Sequence, residues 1–435
     1  MGVVGCILGF LVVIYLCYKD WSVYIASIVG AAVVIAFNVL PFMDTLLDSY
    51  VNGMFVPIKS FFFLLLFGSI QSKIYSESGA AFSIADTIMS KLLRPGASNT
   101  KKNVIAVAVI VAIGIILCMG GINASVFIVL MYPVALTIFE YCDIPKRFIL
   151  GVLAAASYTF TLTMPGSPQV TNVAAMTALG TAADVALVPG LVGAAVEVIV
   201  IIVLMNIYIN KARAKGEHFE LHPLDPHYDK NTPRPNFWIA LIPLVALFVS
   251  FNILKINICV IGSTVLSILL FWKQLKAKNL RELISTGAAD SIHMSLTVAA
   301  ICGFAGVVTN TEAFTTMLNA ITSINMSPML ICAVVVAVMC MLTGGSSTGQ
   351  LISLPLIAPK LLDLGLNVNA IHRIACFAAT TLDSMPYSGA ILMLLPMCRM
   401  KLKEIYPPMF ITTVIATTCG TIAVIVMCAL FPGLC

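Results

Sequence analysis

One interrupted apolar segment constrains this chain more than any other sequence feature. Residues 148–179 form a long apolar run that is broken by the letters T-M-P-G-S-P-Q at 163–169. Two prolines and a glycine so close together cannot continue a regular helix, because each proline lacks a backbone N–H and clashes with the preceding turn. A lipid bilayer tolerates such backbone only where protein or a water-filled cavity surrounds it. The stretch therefore predicts a binding site inside a membrane protein.

The composition agrees with that interpretation. Of 435 residues, 60% are apolar and only 10% are charged, which lies outside the range of soluble proteins. The apolar segments lack the period-two alternation of an outer-membrane barrel. We therefore predict an all-α polytopic membrane protein. The 13 cysteines are scattered singly through apolar segments, which favours small buried side chains over metal ligands or disulfides.

The apolar runs divide the chain into elements of three kinds. Segments near the length that a bilayer requires, about 20 residues, are 2–18, 21–40, 54–74, 183–209, 236–253, 256–272, 283–308 and 406–430. Two pairs of shorter arms, 103–119 with 124–140 and 328–342 with 351–362, predict re-entrant hairpins. Residues 148–179 and 369–398 predict two broken helices, and 80–93 and 312–321 predict short amphipathic helices. The eight long segments and the two broken helices together predict about ten transmembrane crossings.

The second half repeats the order of the first. Gly120-Gly121 matches Gly344-Gly345 at an offset of 224 residues, and Met164-Pro165 matches Met385-Pro386 at 221. These matches predict a first repeat at 1–210, a cytoplasmic connector at 211–235 and a second repeat at 236–435. Five crossings in each half make the repeats inverted. On that topology all basic residues share one face except Lys59, Lys255, Lys360 and Arg373. The positive-inside rule then places both termini outside the cytoplasm of a cell (inner) membrane.

Inverted repeats with broken helices hold substrate near the membrane midplane, where the hairpin tips and the helix breaks meet. The predicted substrate-binding residues at these four places are Gly121, Asn123, Ser125, Thr163, Gly166, Ser167, Gln169, Asn172, Gly345, Ser346, Ser347, Thr348, Ser384, Tyr387 and Ser388. The alternative is that small polar residues only pack helices closely. Arg373 is expected near the outer end of its segment, so backbone amides and helix N-termini would hold an anionic substrate.

Ionisable residues inside apolar segments are candidates for the coupling ion or proton. Asp383 lies in the second break, and Glu197 lies in the middle of a span. Asp290 and His293 are spaced to share one helix face, so they can pair. The open alternatives are a structural hydrogen-bonded pair for Asp290 and His293, and helix packing for Glu197.

The motifs G-G-I-N-A-S at 120–125 and T-M-P-G-S-P-Q-V-T-N at 163–172 resemble the gluconate permease (GntP-type) family of the ion transporter superfamily. The resemblance implies H⁺- or Na⁺-coupled uptake of a small organic acid, such as gluconate or a hydroxybutyrate-like carboxylate. It also implies a homodimer with elevator-type movement. The hairpin tips differ from the Ser-Asn-Thr of dicarboxylate carriers, which leaves the coupling ion open. A Na⁺/H⁺ antiporter of the same superfamily is the alternative. We expect no enzyme activity, no nucleic-acid partner and no cofactor other than Na⁺ as a coupling ion.

Overall fold

A computed structural model describes residues 1–94, 96–119, 122, 124–222, 225, 233–251, 254, 256–276, 278–322 and 326–435. Every regular element within these residues is helical. Five of the described helices are long and apolar enough to cross a membrane, or six if one bent pair counts as a single span. Several shorter apolar helices accompany them. The predicted all-α class is confirmed, whereas the crossing number stays a prediction.

The described part of the first half contains eleven α-helices. They are α1 (Gly2–Tyr18), α2 (Val23–Phe37), α3 (Phe42–Thr45), α4 (Val51–Glu77), α5 (Ala80–Leu92), α6 (Asn99–Met119), α7 (Ala124–Cys142), α8 (Ile149–Ser157), α9 (Phe160–Thr163), α10 (Val170–Leu179) and α11 (Leu187–Ala214). A π-helical turn (Leu46–Tyr50) joins α3 to α4, and a 3₁₀ turn (Lys146–Phe148) precedes α8.

The described part of the second half contains twelve. They are α12 (Phe237–Phe251), α13 (Ile256–Leu270), α14 (Trp272–Leu275), α15 (Leu280–Thr309), α16 (Glu312–Thr322), α17 (Pro328–Thr343), α18 (Ser346–Asp363), α19 (Val368–Ala379), α20 (Gly389–Leu392), α21 (Leu395–Cys398), α22 (Leu402–Phe410) and α23 (Ala416–Leu430). A second π-helical turn (Ile411–Ile415) joins α22 to α23, and a 3₁₀ turn (Pro432–Leu434) ends the chain.

Two groups of helices pack against each other. In the first, α4 and α15 approach so closely that a Cβ atom on Gly53 would lie 2.5 Å from the carbonyl oxygen of Cys302. Helix α2 packs on α15, and α1 packs on α2. In the second group, α7, α8 and α19 are apolar and largely buried, which is typical of helices at the centre of a bundle. Helix α7 packs on α4, and α20 packs on α15, so these contacts join the two groups.

Both predicted helix breaks are non-helical. The first interruption, residues 164–169, separates α9 from α10, and Gly166 within it has a φ of +76°. The second interruption, residues 380–388, separates α19 from α20. The first hairpin consists of α6 and α7, and the second consists of α17 and α18, which meet at Gly344 with a φ of +66°. Glycine at these two positions relieves the strain of a left-handed backbone.

The elements that differ from the sequence prediction in their bounds or packing include α18, α11 and α5. Helix α18 begins at Ser346 rather than at residue 351, because its polar first turn is compatible with a helix N-terminus. Helix α11 continues to Ala214 and so includes the start of the predicted connector. Its last turn contains Lys211 and Arg213, which favour a helix C-terminus. Helix α5 is amphipathic as predicted, but it packs between α7 and α12. Connector residues 223, 224 and 226–232 lie outside the described residues.

Candidate functional site

A cavity of about 190 Å³ lies where the two interruptions and the two hairpins meet. We call it the main cavity. Its apolar wall comes mostly from α4 and α15, through residues such as Pro57, Leu65, Val298 and Cys302. The hairpins and interrupted segments contribute apolar residues such as Leu162, Val170 and Met393. They also contribute all of the described polar lining residues: Ser125, Tyr158, Gln169, Thr343, Ser346, Ser347, Thr348, Asp383, Ser384 and Ser388. The main cavity therefore lies between the two groups of helices, with its polar groups on one side.

Four helices begin at the wall of the main cavity. They are α7 at Ala124, α10 at Val170, α18 at Ser346 and the single-turn α20 at Gly389. The first N–H groups of a helix have no intrahelical partner and carry a partial positive charge. These helix starts therefore create an electropositive surface, although no Lys or Arg is among the described lining residues.

Each interruption is fastened to the hairpin of its own half. The side-chain amide nitrogen of Gln169 donates hydrogen bonds of 2.7 Å to the carbonyl oxygens of Cys118, near the end of α6, and of Ile122, beyond that end. The hydroxyl of Tyr387 donates one of 2.7 Å to the carbonyl oxygen of Met341, near the end of α17. Both contacts satisfy carbonyl groups that a helix C-terminus leaves without partners. They hold each interruption in place beside its hairpin.

Arg373 of α19 organises the first interruption from the second half of the chain. Its side chain is fully buried. It donates hydrogen bonds to the carbonyl oxygens of Thr163 at 2.7 Å, Ala183 at 3.0 Å and Val185 at 2.8 Å. Arg373 lies in the second turn of α19, near the start of its segment, and its burial beside the first break gives the freed carbonyl groups a donor. An arginine inside an apolar segment was the available signal.

Asp383 and its neighbours form the second interruption. The hydroxyl of Ser384 donates a hydrogen bond of 2.9 Å to Oδ1 of Asp383, and both residues line the main cavity. The hydroxyl of Tyr406 donates to the carbonyl oxygen of Ser384 at 3.3 Å. The buried hydroxyl of Ser388 lines the same wall and has no hydrogen-bond partner in the described part of the chain. This hydroxyl is available to a ligand.

The structure brings together nine of the predicted site residues at the main cavity: Ser125, Gln169, Gly345, Ser346, Ser347, Thr348, Asp383, Ser384 and Ser388. Five others are not among its lining residues and instead support the interruptions or belong to them: Thr163, Gly166, Ser167, Asn172 and Tyr387. Gly121 and Asn123 lie outside the described residues.

Nearly the whole length of the chain is similar to one protein family. The model of the GntP family permeases matches residues 1–430 of this chain. The chain belongs to the GntP permease family. The resemblance noted in the sequence is thereby confirmed. The protein is an integral membrane transporter of a small-molecule substrate, and it is not an enzyme.

Two other proteins are similar to this permease. The uncharacterized transporter YxjC of Bacillus subtilis (strain 168) is 25% identical over 430 residues, which cover 87% of this chain and 88% of YxjC. The YdaH transporter of Alcanivorax borkumensis has a crystal structure described as revealing an unusual topology. It matches with a TM-score of 0.39 and 12% identity, over 90% of this chain and 89% of that chain.

The other ionisable candidates of the permease lie away from the main cavity. Glu197 is buried between α11 and α23, where a Cβ atom on Gly420 would lie 2.5 Å from its Oε1. Neither carboxylate oxygen of Glu197 has a hydrogen-bond partner among the described residues. It is not among the residues that line the main cavity.

Asp290 and His293, which the helix spacing allows to pair, each contact a different partner. Asp290 instead forms an ion pair of 3.1 Å with Lys73 of α4. His293 accepts or donates a hydrogen bond of 2.6 Å with the hydroxyl of Tyr24 in α2. The two residues share a helix face as predicted, but α4 and α2 each offer one of them a closer partner. Sequence spacing describes only contacts within one helix.

A charged network lies where the connector meets both interrupted segments. Lys146, just before α8, forms an ion pair with the buried carboxylate of Asp225. Arg399, just after α21, lies 3.9 Å from the other oxygen of the same carboxylate. Asp143 accepts hydrogen bonds from the backbone N–H of Phe219 at 3.0 Å and from the His218 ring at 2.8 Å. Although partial burial alone would raise the pKa of Asp143, these contacts lower it below the usual value.

Proposed function

We propose that this permease carries a small carboxylate, such as gluconate or a hydroxybutyrate-like acid, by symport with H⁺ or Na⁺. The observation that supports the proposal is the main cavity, where four helix starts and the carboxylate of Asp383 face the same space. The substrate-binding residues would be those of the interruptions and hairpins named above. The coupling-ion candidates remain Asp383 first, with Asp290, His293 and Glu197 after it.

The carboxylate of the substrate would bind to the helix starts. Backbone N–H groups at α7, α10 and α18 attract an anion without a full positive charge nearby. The serine and threonine hydroxyls of the second hairpin, Ser346, Ser347 and Thr348, line the same wall. They would accept and donate hydrogen bonds to hydroxyl groups of a sugar acid. The apolar wall of α4 and α15 would cover the carbon chain.

The coupling cation would bind at Asp383. An ionised Asp383 and a substrate carboxylate in one cavity repel each other, by roughly 3 kcal/mol at ~6 Å and an effective dielectric constant of ~20. A proton on Asp383 removes that repulsion. A Na⁺ ion bound to Asp383 and to neighbouring hydroxyl oxygens has the same effect. Such oxygen ligands are of the type that hard cations prefer. Cation and substrate would therefore favour each other's binding, which is the requirement for symport.

Transport would follow an elevator mechanism. The main cavity lies between the α4–α15 group and the helices of the hairpins and interruptions. The second group, fastened internally by Gln169 and Tyr387, would carry the substrate along the first. In this proposal residues 1–210 and 236–435 are inverted repeats in a cell (inner) membrane, and the protein is a homodimer.

Counterflow in proteoliposomes tests this function. Vesicles loaded with unlabelled gluconate or 3-hydroxybutyrate should accumulate the labelled acid transiently, because a carrier exchanges substrate across the membrane. The coupling ion is then identified by comparing uptake in the presence of Na⁺ with uptake under a pH gradient in the absence of Na⁺. The Na⁺/H⁺ antiporter alternative predicts no counterflow of any organic acid and a Na⁺-dependent change of internal pH. That pair of results would replace the symporter proposal.

A further inference from the structure

A second, smaller cavity follows the main cavity along the same interface. It has a volume of about 30 Å³, and we call it the charged cavity. Four segments of the chain line both cavities. On each segment, the residue that lines the main cavity and the residue that lines the charged cavity are four positions apart, which is ~6 Å along a helix. The pairs, with the main-cavity residue first, are Leu65 and Ser69, Val298 and Met294, Ser125 and Val129, and Met393 and Met397. The charged cavity therefore lies about one helical turn beyond the main cavity along these four segments.

The charged cavity is lined by groups that suit an anion. Lys73 of α4, Tyr132 of α7 and Arg399 line it, together with one acidic residue, Asp290. Tyr132 is only 2% exposed, and its hydroxyl has no hydrogen-bond partner among the described residues. A buried hydroxyl without a partner costs stability unless a ligand or water satisfies it. Lysine, arginine and a phenol together form a carboxylate-binding set.

Neither cation of the charged cavity is held by a strong bidentate pair. Lys73 contacts Asp290 of α15 at 3.1 Å, and both side chains remain partly exposed. Arg399 lies 3.9 Å from Asp225, which is too long for a hydrogen bond. Asp225 is already paired with Lys146. These three ion pairs contain three basic and two acidic groups, so one positive charge has no acidic counterpart among them.

We propose that the charged cavity is a second carboxylate-binding station on the transport path. At this station the substrate's carboxylate binds to Lys73, Arg399 and the Tyr132 hydroxyl. Without substrate, Lys73 pairs with Asp290, and the substrate displaces Asp290 from Lys73. The inference rests on the proposed function, because it requires an anionic substrate. Asp290 belongs to the protein and presents the same chemical group as the substrate, so it competes for the same lysine. The present volume is that of about one or two water molecules, so Lys73 must leave Asp290 before a carboxylate enters.

The two members of the Lys73–Asp290 pair should then have opposite effects. Lys73→Gln should raise the KM for labelled gluconate about tenfold when it is offered from the face that carries Lys73, which is the loss expected for one charge-assisted hydrogen bond. Asp290→Asn should lower that KM several-fold, because it removes the competing carboxylate. Uptake from the other face should keep its KM in both variants. The measurement is initial-rate uptake in proteoliposomes of known orientation.

The chain offers matched controls for this experiment. Lys278 and Glu77 form an ion pair at the same end of α4 and α15, and neither lines the charged cavity. Lys278→Gln should therefore leave both KM values unchanged. Lys73→Arg, which keeps the charge, should restore most of the affinity. Tyr132→Phe keeps the ring and removes only the hydroxyl, so it tests the station even where a charge variant folds poorly.

The results separate this inference from the proposed function. If the wild-type protein shows gluconate uptake but Lys73→Gln and Asp290→Asn change KM in the same direction, or equally from both faces, the ion pair is structural and the station is wrong. If the wild-type protein carries no carboxylate at all, the proposed function is wrong, and the station is wrong with it.

Discussion

Asp383 carries the only formal charge among the described residues that line the main cavity. Its carboxylate lies at the second interruption and accepts a hydrogen bond from Ser384. In the proposed function, the helix starts around Asp383 hold the substrate's carboxylate, and a bound cation allows the two negative charges to share one cavity.

Replacing that carboxylate should separate substrate binding from cation binding. Asp383→Asn keeps the size of the side chain but removes the charge, so gluconate should bind without the coupling cation. Counterflow should persist, whereas accumulation driven by a cation gradient should fall by at least ~10-fold, since roughly 3 kcal/mol of coupling is lost. Both assays use proteoliposomes.

Asp363→Asn is the matched control, because Asp363 lies exposed at the end of α18. It should leave coupled uptake unchanged. Coupled uptake by Asp383→Asn at the wild-type rate would exclude Asp383 from the mechanism.

Asp383 is recognisable as a candidate from the sequence, whereas the role of Arg373 is not, and the difference has a physical cause. Asp383 lies inside a recognisable helix break, so its position is enough to make it a candidate. Arg373 acts on the backbone carbonyl groups of Thr163, Ala183 and Val185, about 190 to 210 positions away in the sequence. Backbone acceptors have no side-chain signature, so nothing in the sequence pairs them with a particular arginine. Only the tertiary structure shows which donor they meet.

At the scale of elements, the second hairpin depends on the close approach of its two helices. A Cβ atom on Gly349 of α18 would lie 2.5 Å from the backbone nitrogen of Cys340 in α17. Glycine is therefore required for contact between the helices rather than for backbone conformation. The hairpin supplies Ser346, Ser347 and Thr348 to the main cavity, so its geometry determines where these hydroxyls lie.

Adding one methyl group should separate the hairpin helices. Gly349→Ala should lower the free energy of unfolding by about 1–3 kcal/mol, the usual cost of overpacking a buried contact. It should also reduce gluconate counterflow. Thermal unfolding in detergent, with tryptophan fluorescence as the readout, measures the first effect.

Gly262→Ala in α13 provides the comparison, because no heavy atom lies within 4 Å of the position that its Cβ would occupy. That variant should unfold like the wild-type protein. Equal stability of the two variants would contradict the close contact between α17 and α18.

The elements themselves were largely predictable from proline, glycine and apolar run length. The predicted span at 2–18 coincides with α1, and the arm predicted to end at residue 119 ends there in α6. The start of α18 was missed because Ser346 to Gln350 look like a polar loop. Their first backbone N–H groups instead serve the main cavity. A functional helix start and a loop have the same composition, so the sequence alone does not distinguish them.

At the scale of the whole molecule, the predicted topology rests on charge and on an even number of crossings. Two of the five described helices that are long enough to span a bilayer, α6 and α7, are the arms of the predicted first re-entrant hairpin, so most predicted crossings fall to shorter or interrupted apolar helices. Segments shorter than about 20 residues can cross where the bilayer thins locally or flanking polar side chains reach the interface.

Both termini should lie on the same, non-cytoplasmic face. Protease-cleavable tags fused to Met1 and to Cys435 should both be cut when protease is added to right-side-out vesicles, and a tag inserted at His218 in the connector should be protected. Disrupting the vesicles should make all three tags cleavable. Termini on opposite faces would contradict the even number of crossings and therefore the inverted repeats.

The hydrogen bonds of Arg373 also bear on how the two halves have diverged. At the predicted repeat offset of 221 residues, Arg373 corresponds to Val152 and Asp383 corresponds to Leu162. The second half thus supplies both the cation that supports the other half's interruption and the anion of the shared cavity. Under the proposed inverted repeat, the two halves would not be interchangeable. A chimera made from two first halves would lack both charges, and one made from two second halves would contain each charge twice.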